Sequence, residues 1–196
     1  MSTTWQVILA GSGGQGLGLA GQVLAEAALA SGMHAAHNQS YGARARGGYS
    51  QSSVILSPHE VIFPFVEEPN LVIALSQKAY DLNLPLLAPG GLLLYDSSLV
   101  QGGRGSSLIG FPFDETARKT GNPLGIALVA LGTAAGLTGL VPEDTLQEAL
   151  ARHFRGAALE ANRRCLAQGL ELCITISLPS RSAGGNRNTS PRLPGR

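Results

Sequence analysis

Trp5-Gln6-Val7-Ile8-Leu9-Ala10-Gly11-Ser12-Gly13-Gly14-Gln15-Gly16-Leu17 decides the fold. Trp5–Ala10 is a short apolar run that stops at glycine, the pattern of a buried strand. Gln15–Ser31 follows as a helix, rich in Ala and Leu and free of Pro, with Gly32 placed to cap it. Gly18 and Gly21 fall on its first turns, where a missing side chain lets a helix lie close on a sheet. Between strand and helix, Gly11, Ser12, Gly13, Gly14, Gln15 and Gly16 satisfy G-x-G-x-x-G.

Working outward, Met33–Gln39 reads as a second strand, Ser40–Gly48 as a loop and Tyr49–Leu56 as a third strand. Asn70–Leu75 and Gly91–Tyr95 are two more buried strands, with a short helix at Gln77–Leu84 stopped by Pro85. Strands alternating with helices predict a doubly wound α/β domain with a mostly parallel, Rossmann-like sheet, closed by C-terminal helices. Thr120–Pro142 carries no charge over 23 residues. Its Asn, Thr and Gly content predicts a buried or interface helix rather than a membrane span. Glu143–Phe154 and Ala157–Ile176 read as amphipathic helices. The domain therefore runs to residue 176, and residues 177–196 form a basic tail without the apolar content to fold.

Charged residues make up 14% of the chain, against about 25% in an ordinary soluble domain. That shortage predicts a surface partly covered by partner subunits. Net charge is +1, but Arg181, Arg187, Arg192 and Arg196 place +4 in the tail and leave −3 for residues 1–176. A body of that sign is not the footprint of a nucleic-acid binder. The N-terminus lacks the pattern of a signal peptide. Cys165 and Cys173 lie about 12 Å apart along one helix, too far for a disulfide, and fit free thiols in a cytoplasmic protein.

A glycine loop that opens a helix presents backbone N–H groups and the positive end of the helix dipole to an anion. The expected donors are the N–H groups of Gly13, Gly14 and Gln15. A dinucleotide site would also need an acid near the end of the second strand to hold the ribose hydroxyls. No Asp or Glu occurs between Glu26 and Glu60, and the strand offers His34, His37, Asn38 and Gln39 instead. NAD is disfavoured, NADP stays open, and so does a tight turn that binds nothing. The second unusual segment is Ser40-Tyr41-Gly42-Ala43-Arg44-Ala45-Arg46-Gly47-Gly48-Tyr49-Ser50. Its glycines permit close approach, its arginines reach toward carboxylate or phosphate, and Tyr41 can hydrogen-bond or stack. Strand ends gather at one edge of such a sheet, which would bring this segment beside the glycine loop.

GSGGQGLGLAGQVLAEAALASG (11–32), SYGARARGGYSQSSVILS (40–57), PNLVIALSQKAYD (69–81) and NPLGIALVALGTAAGLTG (122–139) together resemble the γ subunit, or γ domain, of the 2-oxoacid:ferredoxin oxidoreductases. The resemblance runs from about Val7 to Gly169. Arg44 stands where the family often has an acid, Ser57-Pro58 replaces a common Ser-Asp, and Asn70 replaces Asp. The resemblance implies a part in converting a 2-oxoacid and coenzyme A to acyl-CoA and carbon dioxide, with electrons passing to ferredoxin. It further implies that thiamine diphosphate, Mg and iron–sulfur clusters reside in partner α and β subunits, and that this chain is inactive alone. Two cysteines cannot ligate a four-cysteine cluster, and His34, His37, His59 and His153 show no metal-ligand spacing. The candidate coenzyme A contacts are Gly11, Ser12, Gly13, Gly14, Gln15, Gly16, Tyr41, Arg46 and Gly47, with no catalytic residue. The alternatives are a stand-alone NADP-linked reductase and a nucleotide-binding assembly module without catalysis.

Overall fold

A computed structural model describes residues 3–41 and 48–174, Tyr41 as backbone only. Within these residues six strands form one sheet: β1 (Trp5–Ser12), β2 (His34–Tyr41), β3 (Tyr49–Ser57), β4 (Leu71–Ala74), β5 (Leu92–Asp96) and β6 (Leu108–Phe111). Their spatial order is β2-β3-β1-β4-β5-β6. The β1/β4, β4/β5 and β5/β6 pairs are parallel. β3 runs antiparallel to both β1 and β2, so the fold is α/β with a mostly parallel but mixed sheet. In β4, Leu71–Ala74 is buried throughout, as a strand covered on both faces must be.

Among the described residues, six α-helices cover the sheet: α1 (Leu17–Ala30), α2 (Gln77–Asn83), α3 (Phe113–Lys119), α4 (Ile126–Thr138), α5 (Glu143–His153) and α6 (Gly156–Ile174). The main core lies between the sheet and α1, α3, α4, α5 and α6, and includes Val7, Leu9, Leu24, Ile73, Leu131 and Leu146. A thinner core on the opposite face holds Ile8, Val72, Leu93 and the edge-on ring pair Tyr80–Tyr95 beneath α2.

Several sequence expectations shift. β2 continues through Ser40 and Tyr41, because these residues pair with Gln51 and Ser50 in a hairpin. Pro85 does not simply stop α2: it opens a 3-10 turn at Leu84–Leu86. β6 and α3 escape the sequence reading because β6 is only four residues long and follows the glycine-rich stretch 102–105. Asp96 orders this region, its buried carboxylate accepting from the N–H of Ser98 and of Asp114, each at 2.7 Å. The tail lies outside the described residues.

Of the two expectations for the charge-free stretch, burial holds for its middle, which is a core helix. α4 is buried from Ile126 to Ala135 and packs backbone to backbone against α6. A Cβ at Gly132 would stand 2.2 Å from the Leu166 carbonyl oxygen, and one at Gly169 would stand 2.0 Å from that of Val129. Thr133 seals the crossing by donating its hydroxyl to the Gly169 carbonyl at 2.8 Å. Among the described residues no helix is long and apolar enough to cross a membrane.

Gly132→Ala and Gly169→Ala should each force these helices apart and destabilise the chain by about 1–3 kcal/mol in urea unfolding. Gly105→Ala meets nothing within 4 Å and should stay within about 0.5 kcal/mol of wild type.

Candidate functional site

The glycine loop turns the chain from β1 into α1. Gly14 and Gly16 have φ of 95° and 78°, left-handed conformations that disfavour any side chain. Gly11 is small for another reason: its Cβ would lie 2.2 Å from the Gln15 side-chain oxygen. That oxygen accepts from the Ser12 N–H at 2.6 Å, while the Gln15 amide nitrogen donates to the Leu75 carbonyl at 3.0 Å. Gln15 therefore ties the loop to the end of β4. The tie spans the place where the winding changes side, since α1 covers one face of the sheet and α2 the other. Such a switch point is where open α/β sheets form their ligand crevice.

Two of the three expected anion donors are engaged within the chain. The Gly13 N–H donates to the Gly48 carbonyl at 3.0 Å, and the Gln15 N–H donates to the Ser12 carbonyl at 3.3 Å. The donors left to face a ligand are Gly14, Gly16 and the opening turn of α1, where backbone N–H groups lack intrahelical partners. A polar cleft of about 270 Å³ opens there, lined by Ser12–Leu19, Gln39 and Ser50. On the far side of Gly14 and Gly16, an apolar cleft of about 400 Å³ lies against Leu19, Leu124, Leu128 and Phe154.

The sheet under the start of α1 is polar. The ring Nε2 of His37 lies 2.8 Å from the hydroxyl of the buried Ser52, and Gln39 stands beside them on the same face of β2. Gly21 sits over His37 and Ser52, and Gly18 over Gln39, so close that a Cβ would collide with each. These are the close approaches expected of both glycines. Burial holds the His37 pKa below its ordinary 6.5. On the other face, the Tyr49 hydroxyl donates to Gln51 and accepts from the Asn83 amide at 3.1 Å. Desolvation raises the Tyr49 pKa.

Of the expected site residues, Ser12, Gly13, Gly14, Gln15 and Gly16 line the cleft, Gly11 lies behind it against Gln15 and Leu75, and Leu17, Gly18, Leu19, Gln39 and Ser50 join the lining. Gln39 and Ser50 were missed as cleft residues because only the long-range insertion of β3 beside β1 brings them to the loop. The Gly13–Gly48 hydrogen bond ties the second motif's Gly48 to the glycine loop. Gly42, Arg44, Arg46 and Gly47 lie outside the described residues, as does the side chain of Tyr41. Among the described residues no group of three or more His, Cys, Asp or Glu is arranged to hold a metal. On the side of β1 away from β4, the neighbouring β3 is antiparallel, so its start rather than its end meets the loop. The end of β2, where a dinucleotide site carries its acid, brings Gln39 to the cleft instead.

Residues 6–172 match the family model for pyruvate ferredoxin/flavodoxin oxidoreductase. The 2-oxoglutarate synthase subunit KorC of Archaeoglobus fulgidus is 37% identical over 172 residues, covering 87% of this chain and 89% of the relative. The ketoisovalerate oxidoreductase subunit VorA of Methanothermobacter thermautotrophicus is 37% identical over 171 residues, which make up 85% of this chain but 36% of that longer relative. Among solved structures, the keto/oxoacid ferredoxin oxidoreductase gamma subunit from Geobacter sulfurreducens superposes with a TM-score of 0.78 at 34% identity, covering 89% of this chain and 98% of that one. The 2-oxoglutarate:ferredoxin oxidoreductase from Magnetococcus marinus, solved with 2-oxoglutarate, coenzyme A and succinyl-CoA bound, shares the fold with a TM-score of 0.81 at 22% identity. The match covers 92% of this chain and 33% of that one. The chain thus belongs to the pyruvate ferredoxin/flavodoxin oxidoreductase family, as the γ-type chain of a 2-oxoacid:ferredoxin oxidoreductase.

Gln15→Ala should cut the tie between loop and β4 and lower stability by about 1–3 kcal/mol in chemical unfolding. His37 gives a pH signature. Its folded pKa lies below the unfolded 6.5, so the unfolded state binds the proton more readily. His37 should therefore contribute fully above about pH 6.5, and stability should fall as pH drops from there through the folded value. His37→Gln should flatten that slope in melting curves between about pH 7 and pH 5.

Proposed function

We propose that this chain is the γ subunit of a cytoplasmic, thiamine-diphosphate-dependent 2-oxoacid:ferredoxin oxidoreductase and that its glycine loop seats a phosphate of coenzyme A. Partner α and β subunits hold thiamine diphosphate, Mg and the iron–sulfur clusters, and ferredoxin takes the electrons. The observation that carries the coenzyme A assignment is the polar cleft at the start of α1, lined by Gly14, Gly16 and the first helical turn, where backbone N–H groups lack intrahelical partners. A phosphate uses such donors without the ribose-binding acid that NAD requires. The helix end adds about 0.3–1 kcal/mol to anion binding, and more where neighbouring subunits shield the cleft. Ser12, Gln39 and Ser50 supply further polar contacts, while Gln15 keeps the loop in register rather than touching the ligand. Tyr41, Arg46 and Gly47 complete the site in this reading.

The chain's own chemistry is binding and positioning. The His37–Ser52 pair is sealed beneath α1 rather than open to the cleft. The antiparallel β3 weighs against an NADP-linked reductase. A purely structural turn is favoured by one observation, the internal use of the Gly13 and Gln15 N–H groups.

The isolated chain should not oxidise 2-oxoacids with coenzyme A and viologen; turnover by it alone would refute a subunit role. In the assembled enzyme, Gly13→Val should raise the Michaelis constant for coenzyme A about tenfold or more, equivalent to about 1.4 kcal/mol, and leave that for the 2-oxoacid nearly unchanged. Normal assembly with an unaltered constant for coenzyme A would reduce the loop to a turn.

A further inference from the structure

The strap of residues 58–70 between β3 and β4 exposes Ile62, Phe63, Pro64 and Phe65 in succession. Ile62 is 92% exposed, Phe63 55% and Phe65 58%. A soluble surface rarely presents four consecutive apolar residues without covering them. This ridge is also held firmly. Asn38 on β2 donates its amide to the Pro64 carbonyl. The Gln6 side-chain oxygen on β1 accepts from the N–H groups of Glu67 and Glu68 at 2.9 and 3.3 Å. Val66 packs into the thinner core, and the Phe63 and Phe65 rings lie 5.3 Å apart. Aromatic side chains ordered before binding lose little entropy on association, the property of an interface anchor.

Charge indicates what covers the ridge. Glu60, Glu67 and Glu68 flank it, and none of them forms an ion pair among the described residues. A second copy docked through the same patch in two-fold symmetry would set these acids against one another. The complement is an apolar socket with a cationic rim on a different polypeptide. VorA adds a second pointer: this chain accounts for only 36% of that relative, so there the same domain is covalently joined to a larger body.

We infer that the Ile62–Phe65 ridge is the anchor by which this chain docks, through an apolar socket rimmed by Lys or Arg, onto a partner subunit of its own oxidoreductase. The inference rests on the subunit role proposed above. It also relocates the apolar interface that low charge suggested, from the buried α4 to this strap.

The test is titration of the purified chain into its co-purified partner subunits, with circular dichroism melts of each variant. Phe63→Ser/Phe65→Ser should melt like wild type and bind at least about tenfold more weakly. Glu67→Lys/Glu68→Lys should also weaken binding and reverse part of its dependence on salt. Wild-type binding with unchanged constants for both variants would overturn the ridge while leaving the subunit role intact. A wild-type chain that binds no partner would overturn both. A wild-type dimer in sedimentation that the double Ser variant dissolves would overturn the choice of a different polypeptide as occupant.

Discussion

The side-chain amide of Gln15 closes the turn on which the upper edge of the sheet depends. One end accepts from the Ser12 N–H and the other donates to the Leu75 carbonyl, so a single planar group joins the ends of β1 and β4. Placed there, it uses the space that a side chain at Gly11 would need. It also aims the start of α1 across the hairpin of β2 and β3. An amide suits this position because it carries both a donor and an acceptor; a carboxylate would set charge against the Leu75 carbonyl.

Insertion of β3 between β1 and β2 is the second constraint. It brings Tyr49 and Ser50 level with Ser12 and Gly11. It also turns His37, Gln39, Ser50 and Ser52 toward the underside of α1. Polar residues beneath a helix are tolerable only if they are paired and if the helix approaches closely enough to exclude water. Gly18 and Gly21 permit that approach, and the His37–Ser52 contact provides one such pairing. The same glycines thus serve the packing of α1 and the polar cleft beside its first turn.

Small residues play a comparable part at the other end of the molecule. Gly132 and Gly169 bring α4 and α6 together at their backbones, which lets an uncharged helix disappear into the core. Three exposed apolar side chains, Ile62, Phe63 and Phe65, then cluster where the chain crosses between β3 and β4. Part of the low charge content accordingly lies in a deeply buried helix, whereas the exposed aromatic ridge sits in a strap that carries Glu60, Glu67 and Glu68.

Much was legible in local sequence. The strand at Trp5, the glycine turn, the helix after it, the burial of the strands at Leu71 and Leu92, and the family membership all follow from runs, spacings and motifs that adjoining residues carry. Periodicity is a local property, and glycines at a turn announce themselves without neighbours. What tertiary structure decided is pairing. Whether Tyr49–Ser57 lies beside β1 or beyond it, and in which direction, depends on contacts some forty residues apart along the chain. That pairing spent the Gly13 N–H on Gly48 and drew Gln39 and Ser50 into the cleft. Likewise, composition marked residues 120–142 as uncharged and apolar, while the exposed run at Ile62–Phe65 drew no reading from the sequence. Packing against α6 made α4 core, because burial belongs to the surfaces that meet and not to the segment alone.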